Sequence, residues 1–182
     1  MNLYQLPPGP DPPHIVNAII EISRGGHNKY EYNPELGLFK LDRVLYSAVH
    51  YPAAYGFIPG TRAEDGDPVD ILVITGEPTF TGCLVEARPV GLFRMRDEKG
   101  DDEKILSVPV ADPHHNEIRD LSQVRAHFLR EVEHFFHIYK ELEGKAVETL
   151  GWEDREAAFN VIRKAIDADL KQGQQKRGSR KE

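Results

Sequence analysis

The sequence predicts an α+β protein in which a small antiparallel β-barrel carries helices on its outside. Short runs rich in β-branched, aromatic and aliphatic residues, separated by Gly, Pro, Asn and Asp turns, fill roughly the first two thirds of the chain. Helical periodicity begins only afterwards. Strands first and helices last, within 182 residues, fit one domain in which the two kinds of element are segregated.

Residues 1–14 carry prolines at 7, 8, 10, 12 and 13, which fix φ and remove backbone donors, so this segment is expected to run as an extended surface arm. Strands are expected at 17–22, 29–32, 38–45, 70–75, 82–95 and 105–110. In Lys29-Tyr30-Glu31-Tyr32 the two-residue period sets Lys29 and Glu31 on one face and both tyrosines on the other, and Glu21 of the preceding strand could face the same way as the charged pair. The parity of Phe39, Leu41, Arg43 and Leu45 sets Arg43 among apolar residues, where an unpaired guanidinium is costly. It needs an anion, and a carboxylate is the simplest partner. Val124, Phe128, Leu129, Val132, Phe135, Phe136, Tyr139 and Leu142 recur at i, i+3, i+4 and predict an amphipathic helix capped by Ser122, with Tyr139 on its apolar stripe and Lys140 exposed. Phe159, Ile162, Ile166 and Leu170 predict a second helix ending before Gly173. The basic tail 174–182 is expected to be disordered, which leaves 1–173 as the single domain.

Composition excludes several functions. A net charge of −7 argues against a nucleic-acid surface, so a polyanionic substrate would have to be met by local cations or by metal. The single cysteine, Cys83, forms no intrachain disulfide and suits a reducing cytosol. Neither a signal-peptide pattern nor a membrane-length apolar run is present, and a cytoplasmic location without membrane attachment is expected.

The chemistry concentrates in Asp65-Gly66-Asp67-Pro68-Val69-Asp70, three carboxylates on a stiff turn that leads into the apolar run Ile71-Leu72-Val73-Ile74. Like charges this close need a compensating cation or protons, which favours a hard divalent metal. The alternative is a solvated turn whose aspartates hydrogen-bond their own backbone. An EF-hand fails on spacing: counted from Asp65, position 5 is Val69 and position 6 is Asp70, and counted from Asp97, position 3 is Lys99. A second acidic cluster, Asp97 to Glu103, should form the tip of a hairpin joining two apolar strands. His134 and His137 are three apart with Glu133 ahead of both, which is not the H-E-x-x-H zinc pattern, and a polar helix face is the expectation. Arg24-Gly25-Gly26 lacks the Lys-Ser/Thr of a P-loop, and no Gly-x-Ser-x-Gly elbow occurs.

Taken in order, these residues resemble the soluble, Mg-dependent family I inorganic pyrophosphatases, and their compact bacterial form most closely. The landmarks are Ile-Ile-Glu-Ile around Glu21, Lys-Tyr-Glu at 29–31, Asp-Arg at 42–43, Tyr-Pro-Ala-Ala-Tyr-Gly-Phe-Ile-Pro-Gly-Thr at 51–61, Asp-Gly-Asp-Pro-Val-Asp, Arg-Pro-Val-Gly at 88–91, Asp97, Asp102, Lys104, and His134-Phe135-Phe136 leading to Tyr139-Lys140. The resemblance covers about residues 3 to 170. It implies a five-stranded OB-like barrel with flanking C-terminal helices, usually assembled as a hexamer. It implies hydrolysis of pyrophosphate to two orthophosphates, with Asp65, Asp70, Asp97 and Asp102 holding Mg²⁺, and Glu21 and Glu31 as direct or water-mediated ligands. Lys29, Arg43, Lys104, Tyr139 and Lys140 would grip phosphate, Asp67 and Tyr55 would activate or orient water, and Tyr51 would support the site. Mn²⁺ could replace Mg²⁺, and Ca²⁺ should inhibit. Ser23 stands where the family usually has Pro, and Ala54 where it has Asp or Asn. Two other readings compete: a non-enzymatic OB-type module holding structural calcium, and a phosphohydrolase of larger polyphosphates.

Overall fold

The computed structural model describes residues 2–178. Its strands are β1 (Val16–Ile22), β2 (Asn28–Asn33), β3 (Leu38–Val44), β4 (Ala54–Phe57), β5 (Asp70–Val73), β6 (Leu84–Asp97), β7 (Gly100–Pro109) and β8 (Glu148–Glu153), with helices α1 (Ala126–Ile138) and α2 (Arg155–Gly178). Strand β1 pairs with β4, β4 with β5, β5 with β7, β7 with β6, and β6 returns to β1, so five strands close a ring. Closure gives every ring strand a partner on both sides. Strand β8 adds to β6 outside the ring, and β2–β3 form a separate hairpin.

The expected barrel and late helices are present, with several differences. The pairing of β5 with β7 is parallel, Ile71 opposite Ile105, whereas an antiparallel barrel was expected. After β5 the chain enters β6, which pairs with β1 and β7 instead of β5, so the open edge of β5 meets a strand running in its own direction. Strand β4 was not expected, because it is four residues long within a Pro, Ala and Gly-rich stretch. Its Gly56 is required by proximity: a Cβ there would meet the Ile19 carbonyl oxygen at 1.9 Å. Strand β8 is likewise not signalled by the sequence pattern, since it carries Gly151 and acidic ends.

Both faces of the ring strands are covered. Ile71, Val73, Leu92 and Ile105 share a core with Ala158, Ile162 and Ala165 of α2, while Leu72, Phe93, Leu106 and Val108 share another with Val132, Phe135 and Phe136 of α1. Two buried faces explain why Ile71 to Val73 reads as a continuous apolar run rather than an alternation. The stacked rings of Phe93 and Phe136, 5.6 Å apart, seat α1 on β6.

Helix α1 is shorter than its apolar stripe. Ser122 lies in a 3-10 turn, Leu121–Gln123, capped by Asp120, and α1 itself starts after Arg125 without a side-chain cap. It ends at Ile138, and a 3-10 turn, Glu141–Glu143, closes on Gly144 at φ +72°, so Leu142 falls off the stripe and is exposed. Helix α2 is capped by Asp154, whose Oδ1 accepts from Ala157 N at 3.0 Å, and runs past Gly173. The tail expected to be disordered thus begins as helix, and residues 179–182 lie outside the described residues. The proline-rich arm is pinned: Leu3 N donates to Tyr32 Oη at 3.1 Å, and the Tyr4 ring meets Phe57 edge-on at 4.9 Å. Among the described residues no helix is long and apolar enough to cross a membrane.

Candidate active site

One open cavity of about 1160 Å³ is lined by every site residue named from the sequence except Tyr51. Several elements bring them together, Tyr55 coming from β4. The turn 65–70 ends on β5, the β6–β7 hairpin carries Asp97 and Asp102, β1 and the β2–β3 hairpin bring Glu21, Lys29, Glu31 and Arg43, and the end of α1 delivers Tyr139 and Lys140.

The acidic turn has the shape its composition suggested. Gly66 adopts φ +95°, Asp67 N donates to Asp65 Oδ1 at 3.0 Å, and Ala63 N donates to Asp67 O at 2.7 Å. Backbone capping is compatible with a ligand role, because the Asp65–Asp67 bond uses one carboxylate oxygen and leaves the others available. Asp67 lies at the rim; partial burial and then the charges of Asp65 and Asp70 raise its pKa.

At the cavity floor Lys104 is almost fully buried, and its Nζ donates to Asp70 Oδ2 at 2.7 Å and to Asp102 at 2.9 and 3.0 Å. Burial alone would lower its pKa, but Asp70 and Asp102 outweigh that and hold the amine protonated. The Tyr55 hydroxyl donates to the same Asp70 oxygen, and burial, then Asp70, keeps the phenol well above its ordinary pKa. Lys104 also lies over the Tyr55 and Phe136 rings, 5.3 and 5.2 Å from their centroids. Tyr51 lies behind this group, buried, with its ring 4.7 Å from Phe135 and 5.4 Å from Tyr55.

Glu21 accepts from Tyr32 N at 2.7 Å; burial pushes its pKa up to about 8 despite that bond. Lys29 pairs with Glu31, its neighbour on the same strand face, and lies 3.6 Å from Asp42. Arg43 has the anionic partners it required: Nε donates to Glu143 Oε1 at 2.8 Å and Nη1 to Asp42 Oδ2 at 2.6 Å. Lys140, expected to be exposed, is buried, and its Nζ donates to Asp97 Oδ2 at 2.6 Å. Burial would raise the Asp97 pKa, but the Lys140 bond, the bond from Lys99 N and the charges of Lys140 and Lys104 together outweigh it, and the carboxyl lies below its usual range.

Asp42, Glu98, Glu143, Lys145 and Arg62 have no role assigned from the sequence, although Asp42 and Glu98 fall within stretches singled out there. The first four join Lys29, Arg43 and Lys140 in an open chain of ion pairs, Lys29–Asp42–Arg43–Glu143–Lys145–Glu98–Lys140, with Lys145 reaching Glu98 at 3.0 Å. In sequence Leu142 continues the helical stripe, and only the 3-10 geometry after α1 turns Glu143 toward Arg43. Arg62 stands next to the acidic turn, but nothing in its spacing signals a role. His134 and His137 are exposed on α1, away from this cavity, beside Arg130, Glu133 and Thr149.

Among the described residues no three His, Cys, Asp or Glu side chains lie close enough to make a ready-formed metal cluster. The donors nevertheless fit a hard dication. They are all carboxylate oxygens, the donor type that suits Mg²⁺ or Mn²⁺, and burial first, with neighbouring carboxylates adding to it, raises the pKa of Glu21 and Asp67.

A family model described as inorganic pyrophosphatase matches residues 18–169. The inorganic pyrophosphatase of Methanosarcina acetivorans is 52% identical over 151 residues, covering 83% of this chain and 90% of that protein. That of Geobacillus stearothermophilus is 50% identical over 152 residues, covering 84% and 92%. Among solved structures, inorganic pyrophosphatase from Thermus thermophilus superposes with a TM-score of 0.91 at 47% identity, covering 93% of this chain and 99% of that one.

Proposed function

Because the chain belongs to the inorganic pyrophosphatase family, we propose that it hydrolyses pyrophosphate to two orthophosphates with divalent metal held by the acidic turn and the hairpin tip. The observation that carries this reading is the meeting of two acidic clusters, far apart in sequence, with a set of lysines, Arg43 and Tyr139 around one open cavity.

Asp65, Asp70, Asp97 and Asp102 would hold Mg²⁺, with Glu21 and Glu31 as further direct or water-mediated ligands. When bound, the metal supplies charge stabilisation for the transferring phosphoryl group and acidifies the attacking water. Asp67, whose proton affinity is already raised, accepts the proton from that water. Tyr55 orients the water and shares Asp70 with Lys104. Lys29, Arg43, Lys104, Tyr139 and Lys140 bind phosphate oxygens. Each of the cations now pairs with a carboxylate, so substrate binding exchanges one set of anionic partners for another and does not uncover a bare charge. Charge gathered on the departing phosphate is met by cations that are already in place.

The same reading includes Mg²⁺ as the preferred ion, Mn²⁺ as a substitute, a cytoplasmic location and a hexameric homo-oligomer. Exposed Leu36, Leu38, Leu41 and Val44 along the β2–β3 hairpin, with Tyr46 just past it, support self-association. Sedimentation at micromolar concentration should show a species well above the 20.6 kDa chain, and only the single-chain species would contradict it.

Orthophosphate release from pyrophosphate, with and without EDTA and with nucleoside triphosphates as competitors, tests the function. Expected is Mg²⁺-dependent release, abolished by EDTA and not reproduced with triphosphates. Metal binding without turnover would favour a calcium-holding module, and preferred cleavage of triphosphates would favour a wider phosphohydrolase.

A further inference from the structure

Arg62 bridges the acidic turn and helix α2. Its backbone N donates to Ala165 O of α2 at 3.0 Å, while Nη1 donates to Gly66 O at 2.6 Å. Nε is buried without a hydrogen-bond partner, 4.0 Å from Asp169 Oδ1 of the same helix. The turn is also closed from within, by Ala63 N donating to Asp67 O at 2.7 Å and Gly66 N to Ala63 O at 3.1 Å, and held at its base, where Val69 N donates to Thr61 Oγ1 at 3.0 Å and Ile58 N to Val69 O at 2.9 Å, but none of these bonds ties the apex to α2. The Gly66 carbonyl, at the apex and on a residue with φ +95°, is held by Arg62. A guanidinium beside three carboxylates would ordinarily pair with them. Among the described residues Arg62 instead pairs with Asp169 and a backbone carbonyl, and forms no ion pair with Asp65 or Asp67.

We propose that Arg62 is a positioning residue, which fixes the apex of the turn against α2 so that the Asp65 and Asp67 carboxylates stay free and aimed into the cavity for cation binding and proton acceptance. This rests on the metal-dependent reading above. Positioning and charge make opposite demands. The positive charge of Arg62 repels a dication, so if the guanidinium acted through its field, removing it would tighten metal binding. If it acts by holding the turn, removing it loosens the ligands and weakens binding.

The test compares the wild type with Arg62→Met, which keeps the apolar stem, and Arg62→Lys, which keeps one donor and is the gentler change. Mn²⁺ binding to the metal-free protein is measured by titration calorimetry without substrate, alongside the Mg²⁺ dependence of pyrophosphate hydrolysis and amide exchange across residues 63–67. Arg62→Met is expected to weaken Mn²⁺ binding about tenfold, equivalent to ~1.4 kcal/mol. It should raise the Mg²⁺ needed for half-maximal rate by a similar factor, with the deficit closing at saturating Mg²⁺, and speed exchange at Gly66 and Asp67. Arg62→Lys should recover part of each. Tighter Mn²⁺ binding in either variant overturns the proposal in favour of a field effect, and unchanged binding with lowered thermal stability overturns it in favour of a purely structural role. Arg62-dependent Mn²⁺ binding in a wild type that does not hydrolyse pyrophosphate would support the proposal while refuting the pyrophosphatase reading.

Discussion

Lys104 and Asp70 stand directly opposite each other in the parallel pairing of β7 with β5, and this register brings Nζ to 2.7 Å from Asp70 Oδ2. The same ammonium reaches Asp102, two residues back along its own strand and on the same face. One buried cation thus bridges two of the carboxylates proposed to hold metal and offsets half of their charge. Lys104→Met should leave both without it. In metal-free protein the loss should be about 2 kcal/mol, below the usual ~3–5 for a broken buried pair because both aspartates keep water contact, or about 4–8 °C in Tm. Saturating Mg²⁺ should recover much of that stability by replacing the missing charge. A deficit that is equal with and without Mg²⁺, measured by thermal unfolding, would reduce Lys104 to a support of the fold.

Asp65 and Asp67 share one turn and one hydrogen bond, yet should fail differently as asparagines. Asp65→Asn should weaken metal affinity, and excess Mg²⁺ should restore much of the rate. Asp67→Asn should lower kcat by about 10² to 10⁴, as for loss of a positioned general base, with the metal titration little changed. Rate against Mg²⁺ concentration for both variants decides this. Full recovery of Asp67→Asn at high Mg²⁺ would make it a ligand and shift the proton-accepting role to another group.

Calcium should bind without supporting turnover. It takes about 6 to 8 oxygens at longer distances than octahedral Mg²⁺, which disturbs the alignment of water and phosphorus. Hydrolysis at an undiminished rate with Ca²⁺ as the only divalent ion would reject the argument.

Gly56→Ala should destabilise the ring itself, because the added methyl falls 1.9 Å from the Ile19 carbonyl oxygen and 2.9 Å from Ile20 Cα, both backbone atoms that cannot rotate away. The cost should be about 3 kcal/mol, or about 6–12 °C in Tm. Since β4 also positions Tyr55, activity at a permissive temperature should fall as well. A Tm within 2 °C of wild type would show that β1 and β4 separate easily.

What the sequence determined by itself was whatever is local or carried by residue type: the stiff acidic turn, the hairpin with its charged tip, the face shared by Lys29 and Glu31, the need of Arg43 for an anion, and the late amphipathic helices. These follow from backbone permissiveness, two- and 3.6-residue periods and the cost of burying charge. Tertiary structure alone decided matters of distance between remote segments. The short β4 is a strand because β1 and β5 supply its hydrogen bonds, and the parallel β5–β7 register exists because β6 is drawn to β1 and β7. Lys140 looks exposed beside an apolar stripe, but the chain turns after Ile138 and buries it against Asp97, 43 residues away. Glu143 and Arg62 carry no signal in their neighbours, because a hydrogen bond to Arg43 a hundred residues distant, or to a carbonyl on the apex of a turn, depends on where the folded backbone returns and not on which residues lie beside them.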